Sequence, residues 1–147
     1  MRWTAAAVFI LIGAPAFAKD FDENAARQYC KNSYHSNFAK QERCFDGIFQ
    51  GYWDTVHTLT YFKDPANMFA DAFQNCRDRW GIRWDEVHTC IQTQISAAQA
   101  GSLAIKRLPA MQGAVIFGEC WEDRSADLNE FRECAIFMAD RWERENP

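Results

Sequence analysis

Three pairs of cysteines stand at one repeated step in this chain, and that step restricts how it can fold. Cys30 and Cys44, Cys76 and Cys90, and Cys120 and Cys134 are each fourteen positions apart, and they account for all six cysteines. A disulfide needs its two Cα atoms within about 7 Å. Fourteen residues of straight helix span roughly 21 Å, so two cysteines at this step on one helix cannot meet. A reversal midway brings them level on two facing helices.

The residues midway suit a reversal. They are Ser33 to Asn37 in the first unit, the tryptophan–glycine pair Trp80-Gly81 in the second, and Asp123 to Asp127 in the third. Glycine takes the left-handed backbone at a helix end cheaply, and Asp127 with Glu130 has capping-box spacing. The repeat extends past the cysteines. Phe38, Trp84 and Leu128 each follow the first cysteine of a pair by eight residues. Tyr52, Ala98 and Trp142 follow the second by eight, and Pro65 and Pro109 precede Cys76 and Cys120 by eleven. A unit of this size is a helix pair that buries its faces on its neighbours. The expected fold is all-α: three antiparallel helical hairpins, about six helices, each clipped by its own disulfide in a small repeat bundle. Spacing favours these local pairings over long-range ones without forcing them.

The first 18 residues read as a cleavable signal peptide. Arg2 supplies the positive region, Ala5 to Ala14 the apolar stretch, and Ala16-Phe17-Ala18 the small-x-small cleavage pattern. The apolar run is shorter than the ~20 residues that span a bilayer, so no stable membrane anchor is expected after cleavage. Export to the periplasm or the exterior agrees with disulfide use, since disulfides persist in oxidising compartments. Residues 19–147 then form a single domain, with units at about 19–63, 64–101 and 102–147. The whole chain carries 16 basic and 20 acidic residues, a net charge of −4, which argues against nucleic acid or an anionic membrane as partner.

Helical periodicity places a first helix at 22–34 with Asp22 as cap. A second runs from about 37 through Phe45, Ile48 and Tyr52. Gly47 and Gly51 on it either weaken the helix or admit a close neighbour. Thr55 to Phe62 is ambiguous between helix and extended connector. A third helix restarts at Asp64-Pro65 with Met68, Phe69, Ala72, Phe73, Cys76 and Trp80 on one stripe. The fourth covers 84–100 and stops at Gly101. A linker over 101–108 leads to a fifth helix near Pro109, and a sixth starts near 127.

Candidate chemistry is sparse. No short C-x₂₋₄-C spacing points to structural zinc, and no C-x-x-C-H or C-x-x-C points to haem attachment or thioredoxin-like redox work. Asp54 and His57 lie one helical turn apart and could share a metal or proton, although no third ligand is identifiable and an ordinary exposed histidine is the simpler reading. His88 after Glu86 lacks the i, i+4 histidine spacing of a zinc helix, and His35 falls in a turn. Glu119, Glu122, Asp123, Asp127, Glu130 and Glu133 cluster around the third turn. Paired carboxylates can do acid–base work, but interleaved with Arg124 and Arg132 they read as a solvated face.

Arg79, Trp80, Ile82, Arg83 and Trp84 at the middle turn have the composition of an interface hot spot. The competing reading has the tryptophans capping the core while the arginines reach outward. Phe69, Phe73, Phe117 and Trp121 either line an apolar ligand cavity or fill the core. The sequence therefore points to a non-enzymatic exported scaffold that binds another envelope or secreted protein and needs no metal or cofactor. A carrier of a small apolar ligand is the alternative, and a metal-dependent hydrolase at Asp54 and His57 the third.

Overall fold

Each cysteine pair closes a disulfide inside its own hairpin, in a computed structural model that describes residues 21–62 and 69–147. The Cα–Cα separation is 5.7 Å in all three. The helices are α1 (Glu23–Tyr34), α2 (Phe38–Tyr61), α3 (Ala70–Trp80), α4 (Trp84–Lys106), α5 (Ala110–Arg124) and α6 (Leu128–Glu145). Among the described residues there is no strand.

The three reversals share one register. Every first helix ends at most four residues past its cysteine, and every second helix starts at the eighth, with its cap at the seventh. Asn37 and Asp127 accept backbone N–H bonds from Lys40 and Asn129, each at 3.0 Å, which satisfies donors that a helix start leaves open. Asp22 does the same for Ala25 at 2.9 Å. His35 and Gly81 both carry positive φ, 42° and 54°, at the same register position. The third reversal, with Ser125 at φ −63°, avoids that conformation.

One ambiguity is resolved and one expectation is corrected. α2 absorbs Thr55 to Tyr61 as helix, and the hydroxyls of Thr55 and Thr60 donate to the carbonyls of Gly51 and Val56 one turn back. α4 does not stop at Gly101 but continues to Lys106, so the unit boundary moves to residues 107–109. Gly101 has a packing role: a β-carbon there would stand 2.8 Å from the Phe131 ring. The helix start expected at Asp64-Pro65, with Met68, lies outside the described residues, as does the signal peptide.

α4 is the centre, packed against α2, α6, α3 and α5. Two hydrophobic clusters result, one for each joint between units. The first joins Cys30, Phe45 and Ile48 to Phe73, Cys76, Trp84, Val87, Ile91 and Ile95. The second joins Ala72, Ala97, Ala98 and Ala104 to Ile116, Cys120, Leu128, Phe131 and Ala135. Each fully buried aliphatic or aromatic side chain contributes about 1.5–3 kcal/mol, so a unit on its own would lose much of its support. The third unit carries charge where the first two bury small side chains. Arg141 and Glu145, an ion pair at 2.9 Å, occupy the register positions of buried Gly51 and Thr55 in unit one and of Ala97 and Gly101 in unit two.

Candidate functional site: the middle turn and the outer face of α2

The middle turn is a joint between units. Trp84 is 4% exposed and meets Tyr52 edge-on at 5.1 Å. The Arg83 guanidinium donates to both Asp85 carboxylate oxygens at 3.0 and 2.8 Å, to Glu86 at 2.9 Å, and to the Tyr29 hydroxyl of unit one at 3.1 Å. The hydrogen bond to Asp85 raises the Arg83 pKa further above its ordinary value. Burial pushes the Asp85 carboxyl up, but the bond to Arg83 and its charge outweigh that and hold it below the usual range.

The interface assigned to this turn is therefore corrected for Trp84 and Arg83. Unit one covers the first and binds the second, because the turn sits mid-stack. Arg79 stays exposed with its guanidinium 5.4 Å from the Trp80 ring, and Trp80 and Ile82 are half-buried.

Of the other candidates, Asp54 and His57 line one shallow surface pocket on α2 with Trp53 and Tyr61, and His88 and His35 lie elsewhere. Asp54 accepts from the Gln50 amide at 2.9 Å, and the His57 ring lies 4.5 Å from that of Tyr61. Among the described residues, no three His, Cys, Asp or Glu side chains are placed to hold a metal ion. His88 links α4 to α2, with Nε2 3.4 Å from the Thr58 hydroxyl and 3.3 Å from the Gln92 amide nitrogen. His35 holds the first reversal, and its carbonyl accepts from the Gln41 side chain.

Glu119, Glu122, Asp127, Glu130 and Glu133 are exposed; the side chain of Asp123 lies outside what is described. Asp127 is an exception in its electrostatics. Burial raises its pKa, but bonds from Asn129 and Gln94 and the charge of Arg79 bring it below the ordinary value.

The aromatic stripe packs into the core, and one of its rings, Phe69, also lines an open groove with Phe62 and Ile95. Phe117 and Trp121 stack at 5.4 Å, Phe69 and Phe131 each meet Trp121 edge-on at 5.4 Å, and Phe73 is 5% exposed.

One surface was not singled out from sequence. Phe49, Trp53, His57 and Tyr61 recur every fourth residue on α2 and point away from the second unit's core. Phe49 is 42%, Trp53 51% and Tyr61 71% exposed. The signal was present in the i, i+4 spacing, but it appears only once Thr55 to Tyr61 is read as helix. Residues 46–62 contain Asp46 and Asp54 and no Lys or Arg, so this aromatic face is also electronegative.

The chain matches no protein-family profile. No curated protein and no solved structure is similar to it either. Among the described residues, no helix is long and apolar enough to cross a membrane. The three disulfides suit an oxidising environment.

Proposed function

We propose that the protein is an exported, non-enzymatic scaffold that works by binding another envelope or secreted protein. The observation carrying this reading is the aromatic face of α2. Phe49, Trp53 and Tyr61 belong to neither hydrophobic cluster, yet they expose large aromatic area on a helix held by a disulfide at Cys44. Aromatic side chains supply contact area at low entropic cost, and Trp and Tyr dominate interface hot spots. A rigid stack also limits the ordering cost of binding.

The test is site-specific photo-cross-linking in the native compartment. A photoreactive residue at Val56 or Thr60 is expected to yield a protein adduct that a residue at exposed Met111 does not. Equal labelling from both positions, or no adduct from α2, would sink the assignment. Export itself is checked by intact mass, which should begin at Lys19.

A further inference from the structure

We infer that the tip of the first hairpin docks the protein on an anionic phospholipid surface, a peripheral contact separate from the aromatic face of α2. Three observations meet at this tip. The first is exposure. Every residue from Lys31 to Lys40 is exposed, whereas the middle tip buries Trp84 and the third buries Leu128. Phe38 occupies the register position of those two residues, yet it is 76% exposed and belongs to neither hydrophobic cluster. Tyr34, on the other side of the turn, is 41% exposed. The Asn37 N–H donates to the Tyr34 carbonyl at 2.8 Å, so the two aromatic residues flank one closed turn.

The second is charge. Residues 25–41 contain Arg27, Lys31 and Lys40 and no Asp or Glu, and Arg43 follows on α2. Arg27 pairs with Glu23 at 2.8 Å and Glu42 at 3.8 Å. Among the described residues, Lys31, Lys40 and Arg43 enter no ion pair. The carboxylates clustered around the third turn belong to the other end of the stack. The net charge of −4 therefore speaks against an anionic surface only for the chain as a whole. Its polarity along the stack turns the first tip toward such a surface and the third away from it.

The third is conformation. His35 is the one described non-glycine residue with positive φ, 42°, and Gly81 fills the same position in the middle turn. A side chain kept where glycine fits more cheaply points to a use for that side chain. Here it adds an imidazole to the turn between Tyr34 and Phe38.

A lipid surface suits this tip better than a protein does. A protein interface is built around a buried, shape-complementary centre, and an unbroken run of exposed residues offers none. A bilayer accepts a projecting ring without a matching pocket. Aromatic rings settle at headgroup level, and cations beside them are drawn to anionic headgroups. One Phe, one Tyr and a few cations give reversible binding and no anchor.

The test uses the disulfide-bonded chain and vesicles of phosphatidylcholine, alone or mixed with phosphatidylglycerol, with bound protein read by flotation. Binding is expected on the mixed vesicles only, and added salt should weaken it. Lys31→Glu with Lys40→Glu should weaken it by about tenfold or more. Phe38→Ala, at a largely exposed side chain, should weaken it about fivefold. His35→Gly should weaken it while raising the thermal midpoint, a split that a purely structural role would not produce.

Equal binding to phosphatidylcholine alone, no binding to the mixed vesicles, or unchanged binding in any of these variants overturns the inference. So does a photoreactive residue at exposed Ala39 that labels an acidic protein segment and no lipid in the native compartment. The scaffold reading stands or falls separately, on the adducts from Val56 and Thr60.

Discussion

The backbone at Trp84 and Asp85 runs directly over Gly51. A β-carbon on residue 51 would lie 2.5 Å from the Asp85 Cα and 2.6 Å from the Trp84 carbonyl carbon. Backbone cannot yield as a flexible side chain would. Gly51→Ala is therefore expected to force the first two units apart and cost about 2–3 kcal/mol. Gly47, one turn earlier, has nothing within 4 Å of its missing β-carbon, so Gly47→Ala should gain about 0.5–1 kcal/mol from helix propensity. Urea denaturation of both variants checks the pair. Effects of equal sign would mean that Gly51 is not a contact glycine.

His35 and Gly81 adopt nearly one conformation, φ 42° with ψ −107° and φ 54° with ψ −114°. A side chain resists that region and glycine does not. His35→Gly should therefore stabilise the protein by about 1 kcal/mol, and Gly81→Ala should destabilise it by a similar amount. Thermal unfolding midpoints moving in opposite directions would bear this out; a loss of stability in His35→Gly would contradict it.

Gln94 ties unit two to unit three. It is 8% exposed, its carbonyl oxygen accepts from the Leu128 N–H at 2.6 Å, and its amide donates to Asp127 at 3.2 Å. Gln94→Leu strands a buried N–H, at a cost of about 1–3 kcal/mol. Native-state hydrogen exchange should show faster exchange at Leu128 and little change at the first joint.

Acid should loosen both joints. Asp85 and Asp127 titrate below the ordinary carboxylate value of 3.8 in the folded chain. In that range the unfolded chain binds more protons, so stability rises with pH. The contribution is fully present above about pH 4–5 and is lost as pH falls from there through the folded values. Stability measured against pH should fall less steeply below about pH 4 in Asp85→Asn combined with Asp127→Asn than in the wild type. Parallel curves would refute the assignment.

Removing one clip, by Cys30→Ala with Cys44→Ala, should cost about 3 kcal/mol on the chain-entropy argument. Peptide mapping of the unreduced protein should recover only the three within-hairpin bridges. A bridge between units would be incompatible with the fold.

Local signals carried most of the architecture. The fourteen-residue cysteine step, the caps Asp22, Asn37 and Asp127, and the glycine at 81 each act within a few residues of chain, so the hairpins are legible without knowing what packs on them. Gly101 misled because a glycine near a helix end has two readings, a stop or a close approach. Only the position of Phe131, thirty residues later, selects the second. Thr55 to Tyr61 was ambiguous for a related reason, since β-branched residues disfavour helix only weakly and tertiary support overrides them.

The surface that matters for binding was the least legible part. Phe38, Trp84 and Leu128 share one register position and look alike as sequence, yet Phe38 is 76%, Trp84 4% and Leu128 0% exposed. The sequence by itself determined the hairpins, their clips and the period at which they repeat, because each depends on spacing along the chain. Only the tertiary structure decided which copy of a repeated apolar position is covered: burial depends on whether a neighbouring unit packs on that side, and among the described residues no unit stands before unit one.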